Sequence, residues 1–291
     1  MDATDHEILM HREAHFGGQF SVMIDYYKGE GKGIQPDFSL ARVEELAALE
    51  THLKLDLAAQ YLDVSEAEKI GESRTAYKAL RSVYEVKKPR TIHPRLIADL
   101  ILAEDLDAEE EIKAIVAEKG AIVPSLIELL KSEHFYDPLF PGYGQAPTLA
   151  VKCLELIGDK RAIIALFEAF GQGDFFEDEQ IIKALQAIGE PAKQFLLKVV
   201  QGYPLNEDNE RAAIALIQFK DDPEVAATCF KLLKDPEVQK DPCLPTYLVL
   251  ACEGLKEKLL REEFVALSKQ ESLPRPLRED IKAVIHAWKE F

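Results

Sequence analysis

Glu7, His11 and His15 stand at i, i+4 and i+8. On an α-helix each step of four residues turns about 400°, so the three side chains stack along one face with about 40° of drift. Two imidazoles and a carboxylate can hold zinc or iron while leaving positions open for a substrate. Such a site needs at least one more ligand from another segment, and the sequence names none. The same three residues can form a polar helix face with the histidines packed against Phe16 and Tyr26, which asks for less.

A second set of residues points to binding rather than chemistry. Glu128, Glu168, Lys198 and Lys231 each sit as one charge embedded in four apolar positions, as in Leu126-Ile127-Glu128-Leu129-Leu130 and Leu196-Leu197-Lys198-Val199-Val200. On stacked helices they form a row whose sign changes from acidic to basic, readable by a partner of opposite polarity. A third set crowds the stretch from Glu133 to Pro147, where Phe135, Tyr136, Phe140 and Tyr143 are interleaved with Pro138, Pro141 and Pro147. Aromatic anchors on a stiffened loop bury much area at little ordering cost. Phe140 and Tyr143 are therefore expected to be partly exposed and to contact a partner. They can also staple the start of the next helix, the simpler role expected of Phe175-Phe176 and Tyr203.

Other motifs carry less. Gly29-Glu30-Gly31-Lys32-Gly33 has neither the preceding strand nor the following Lys-Ser/Thr of a phosphate loop and reads as a flexible connection. Lys87-Lys88-Pro89-Arg90 reads as a solvated linker. No nucleophile elbow or triad is assembled, and no cofactor is expected.

The elements that must position these residues repeat. Leu154-Glu155-Leu156-Ile157-Gly158-Asp159 is echoed by Leu185-Gln186-Ala187-Ile188-Gly189-Glu190, with a degenerate copy from Leu216 to Asp221. Gly158, Gly189 and Lys220 follow one another at intervals of 31 residues, a period expected of stacked helical hairpins. Ala150, Cys153, Leu154 and Ile157 mark one helix face, as do Ile181, Ala184, Leu185 and Ile188, and then Ala212, Ala215, Leu216 and Phe219. Gly120, Gly158 and Gly189 stand where a left-handed residue would end each first helix. Pro124, Pro191 and Pro223 fall in the first turn of each second helix, where a missing N–H costs nothing. A fifth pair over about 246–253 and 256–269 and a closing helix over about 275–290 complete the array. In the N-terminal third, Ser39 can cap a helix running to about Leu62 and Ser65 the next.

The phrase Ile157-Gly158-Asp159-Lys160-Arg161-Ala162-Ile163 and the run from Gly120 to Leu130 resemble the HEAT repeats, in particular the short bilin-lyase-like variety, over about residues 108–270. The resemblance implies a right-handed α-α superhelix; with the small helical N-terminal region ahead of it, the chain is expected to be all-α and to divide as 1–90 and 91–291. Repeats of this kind serve adaptors, chaperones and regulatory subunits, so the expected function is a non-catalytic scaffold holding a protein or peptide on the concave face. The alternative is an enzyme of HEAT-like fold, lyase-like or metal-dependent through Glu7, His11 and His15. Deoxyhypusine hydroxylase needs four His-Glu dipeptides, and only His6-Glu7 occurs here. The N-terminal third resembles no known family.

Charge narrows the partners. Thirty-five basic against 52 acidic residues leave −17, and a field of that sign opposes phosphate backbones, so no nucleic-acid partner is expected, the HEAT-like DNA glycosylases included. No apolar run reaches the length of a membrane span. The acidic start, Met1 to Glu7, is unlike a secretory signal, and the four cysteines form no Cys-x-x-Cys pair. A cytoplasmic location is expected.

Overall fold

The computed structural model describes residues 1–29, 36–87, 90–103, 107–173 and 175–288. Among the described residues all regular structure is helical, which establishes the all-α class. No helix is long and apolar enough to cross a membrane. Most of the Gly29–Gly33 connection, the centre of the 87–90 linker, and the side chains of Phe175 and Phe176 lie outside the described residues. Contacts divide the chain into two compact units, Met1–Ile157 and Gly158–Phe291.

The first unit contains α1 (Ala3–His15), α2 (Phe20–Lys28), α3 (Leu40–Leu53), α4 (Leu57–Tyr61), α5 (Val64–Glu85), α6 (His93–Leu102), α7 (Glu109–Ala117), α8 (Val123–Leu130) and α9 (Ala146–Ile157). Three of its helices, α1, α4 and α5, start on an aspartate cap. Asp2 and Asp5 close a reciprocal capping box on α1, and Asp63 with Glu66 does the same on α5, two residues ahead of the expected Ser65. The helix expected from Ser39 to about Leu62 is broken in two. Lys54 turns left-handed at φ 54°, and Asp56 restarts the chain by accepting from the amides of Ala58 and Ala59. Helix α1 packs on α4 and α5, α2 on α3, and α6 on α5, α7, α8 and α9. The N-terminal helices and the first hairpin therefore belong to the same unit, which runs to Ile157.

Inside that unit sits a core of Ile8, Leu9, Phe16, Phe20, Met23, Phe38, Val43, Leu46 and Leu57. Beside it the guanidinium of Arg12 is buried at 1% exposure, lies over the Phe20 ring and donates to Glu13, Glu50 and Asp56. A buried charge is tolerated only when paired and hydrogen-bonded this fully.

The second unit contains α10 (Ile163–Ala169), α11 (Phe175–Ile188), α12 (Glu190–Val200), α13 (Glu207–Leu216), α14 (Pro223–Leu233), α15 (Pro236–Lys240), α16 (Leu244–Ala251), α17 (Lys258–Leu267) and α18 (Arg275–Ala287). Helix α11 packs on α10 and α12, α12 on α13, α13 and α14 on α16, and α18 on α16 and α17. Side chains also join successive second helices: Phe167 meets Phe195 at 5.3 Å between ring centroids, and Phe230 meets Phe264 at 5.5 Å. The repeated faces are the core. Ile181, Ala184, Leu185 and Ile188 are buried, as are Ala212, Ala215 and Leu216. Gly189 takes φ 76° and ψ −132°, a conformation that a side chain resists, and passes the chain straight into α12. Gly158 is also at positive φ, whereas in the first copy Lys119 rather than Gly120 carries the left-handed turn.

The cysteines are free thiols. Cys153, Cys229 and Cys252 are buried, and burial pushes the first two up to about 12 and the third well above its usual value. Cys243 is exposed.

Candidate functional site

The four second-helix charges are all at the surface: Glu128 on α8 in the first unit, and Glu168 on α10, Lys198 on α12 and Lys231 on α14 in the second. The apolar residues around them point the other way. Leu196, Leu197 and Val200 are buried beside Lys198, and Phe230 and Leu233 beside Lys231. A neighbouring lysine shows what an internally engaged cation looks like. Lys193 is 5% exposed and its Nζ holds Asp222 at 2.7 Å, Glu190 at 2.9 Å and Glu224 at 3.1 Å, which joins α12 to the start of α14. Lys198 and Lys231 make no ion pair among the described residues. Their charges remain available.

Phe140 and Tyr143 overturn the expectation of exposure, at 3% and 4%. The extra length between α8 and α9 is no free insertion; it fills the first unit. Phe140 packs with Ala14, Ile70 and Leu139 and stacks on His134 at 4.8 Å. The buried Ser73 hydroxyl donates to the Leu139 carbonyl at 2.6 Å and ties this segment to α5. Tyr143 is driven inward by backbone geometry. Gly142, Tyr143 and Gly144 all have positive φ, at 85°, 51° and 80°. A Cβ on Gly142 would come within 2.9 Å of the Ile101 carbonyl oxygen, and one on Gly144 within 2.9 Å of that of Tyr136. Only glycine fits on either side, and the tyrosine between them holds a conformation that costs of order 1 kcal/mol or more.

The Tyr143 ring lands on the histidines. Its centroid is 4.5 Å from His15 and 6.5 Å from His11, and the two imidazoles stack at 5.1 Å. His11 also meets the edge of Phe38 at 5.2 Å. A hydrogen bond of 2.7 Å joins His15 Nδ1 to the Tyr77 hydroxyl on α5. Burial pushes His11 down to about 4, with Lys69 adding and Asp137 opposing. Burial and the adjacent His11 push His15 down to about 3, against the nearby carbonyls of Pro138 and Leu139. Both rings are therefore neutral at pH 7. Among the described residues, His11 Nδ1 and His15 Nε2 are buried without a hydrogen bond.

These contacts dismantle the metal reading of Glu7, His11 and His15. Glu7 is exposed while the histidines turn into the aromatic core, and among the described residues no three His, Cys, Asp or Glu are grouped to hold a metal ion.

No family model and no curated protein matches this chain.

Sequence reasoning passed over two features. Arg12, at the centre of the first unit's polar network, looks like an ordinary helix charge between two histidines. The second is a basic face on α5, where Arg74, Lys78 and Arg81 stand at i, i+4 and i+7 around Tyr77. In a chain of net −17 that spacing was a legible signal.

Proposed function

We propose that the chain is a non-catalytic scaffold or adaptor of HEAT-like construction, with its hairpins wound into a right-handed superhelix that holds a protein or peptide. The repeated phrase supports the repeat type, and so does the packing of helix on helix within each unit. A stack of this kind buries apolar surface only between neighbours and leaves one long face for a partner. The partner segment lies along the second helices, with Glu168, Lys198 and Lys231 reading its charge and Glu128 at the equivalent place on α8. The observation that carries this reading is the contrast between Lys193, spent inside the fold, and Lys198 and Lys231, exposed and without an ion pair among the described residues at matching helix positions. The partner is a protein or peptide rather than a nucleic acid, in keeping with the net charge of −17. Four free thiols suit a cytoplasmic setting.

The test is affinity capture from the source cells with the wild type beside a Glu168→Lys/Lys198→Glu/Lys231→Glu variant. Purified partner is then titrated against both at two salt concentrations. The expected result is a partner retained by the wild type and lost with the variant, with affinity falling as salt rises. A partner that binds the folded variant at full strength overturns the assignment of this face.

A further inference from the structure

Next to the histidine pair, entirely within the first unit, lies a cavity of about 550 Å³, inside the range that accommodates small organic ligands. Its lining is rich in rings, Phe16, Tyr26, Tyr77 and Tyr143, with His15 packed against Phe16, Tyr77 and Tyr143. The walls are fixed from behind. Phe16 and Tyr26 pack at 5.2 Å, the Tyr77 hydroxyl is bonded to His15, and Tyr143 is wedged inward by its two flanking glycines. Rings held this way present flat faces with little rotamer freedom to lose on binding.

The rim has the opposite sign to the chain as a whole. Arg74, Lys78 and Arg81 line it from one face of α5, against a single carboxylate, Glu13. That carboxylate is already engaged: Arg12 Nη2 donates to it at 2.7 Å and Arg74 Nη2 at 2.8 Å. Lys78 and Arg81 make no ion pair among the described residues, and Arg81 leans over the Tyr77 ring at 5.8 Å. Two cations without an ion pair among the described residues, beside an aromatic lining, suit one kind of occupant. The charge calls for an anion, and the walls call for a flat ring.

We propose that this cavity binds a small aromatic carboxylate, its ring between the tyrosines and its carboxylate on Lys78 and Arg81. This site is independent of the second-helix surface and stands or falls apart from it.

The test uses 2-naphthoate as probe, titrated into the full chain by calorimetry. Saturable one-to-one binding is expected. Two ligand controls separate the contributions: 2-naphthylmethanol, with the ring and no charge, should bind at least tenfold more weakly, and acetate, with the charge and no ring, should not bind measurably. Lys78→Glu/Arg81→Glu should weaken naphthoate binding at least tenfold. Both positions are exposed, so its circular dichroism and melting temperature should match the wild type. Higher salt should weaken the wild-type complex and leave the variant's residual binding nearly unchanged. The proposal is overturned if naphthoate gives no saturable binding up to about 5 mM, a concentration that captures even very weak sites. It is equally overturned if the folded double variant binds as well as the wild type, or if the neutral alcohol binds as tightly as the acid.

Discussion

The two units solve the problem of burial by different means. The second repeats one aliphatic face: Leu185 and Leu216 occupy equivalent places and both are fully buried. Polar groups stay at the edges, and even Lys193 bridges two helices near their ends. The first unit instead encloses chemistry. Arg12, Asp5 and His11 are buried, a second histidine stacks on the first, and a tyrosine in left-handed conformation closes the cluster. A core assembled by repetition is replaceable piece by piece, because each helix meets only its neighbours. A core assembled around buried polar groups depends on every partner being present, because an orphaned one incurs its full desolvation cost.

Four measurements test that contrast. The largest effect is expected in the repeats, where Leu185→Ala should destabilise by about 2–5 kcal/mol in chemical denaturation, the range for a leucine truncated in a packed core. A loss under about half a kcal/mol would mean the apolar stripe is not the core.

The next effect belongs to the first unit and depends on pH. The imidazoles titrate near 6.5 when unfolded but near 4 and 3 in the fold. Between those values the unfolded chain binds more protons, so stability falls as the pH drops below about 6.5 and the loss is complete near the folded values. His11→Phe removes one such group and its unpaired Nδ1. Between pH 7 and pH 4 the wild type should lose roughly 3 kcal/mol more than this variant in chemical denaturation. Parallel stability curves for the two proteins would show that His11 is not held neutral.

A smaller loss, roughly 1–3 kcal/mol, is expected from Arg12→Leu, which removes the hydrogen bonds joining α1 to Glu50 and Asp56. The three carboxylates left behind are part exposed, and water moderates the cost. The smallest effect should come from Lys198→Glu/Lys231→Glu, within about half a kcal/mol of the wild type because surface charges contribute little to folding. A cooperative loss there would place those lysines in the structure's interior bookkeeping, not on a binding face.

The contrast also explains what the sequence made legible. Helical phase in the second unit could be read directly, since Ile181, Ala184, Leu185 and Ile188 repeat at helical spacing and each is buried. The expected elements over 246–253, 256–269 and 275–290 correspond to α16, α17 and α18. In the first unit periodicity had less to work with. The break at Lys54 is a left-handed turn without glycine, which no propensity signals. The 133–147 segment looked like a recognition loop because aromatics and prolines suit one; what it lacked in sequence was any sign of where its rings would go. The Gly142-Tyr143-Gly144 run permits a turn at positive φ, but the destination of the ring on α1 and α5 is set by tertiary contact. Neither His11's burial nor Arg12's could be inferred from residue type, because histidine is intermediate in burial and arginine mostly exposed.

The cysteine distribution gives experimental access to all of this. Three thiols are sealed in the interior with their ionisation suppressed, and the thiolate is the reactive form. Cys243, exposed at the start of α16, should therefore take a maleimide dye at neutral pH as the single site of modification in the native chain. The natural sequence thus carries its own attachment point for a fluorophore or spin label. Surface immobilisation and distance measurements can begin without engineering a cysteine-free background.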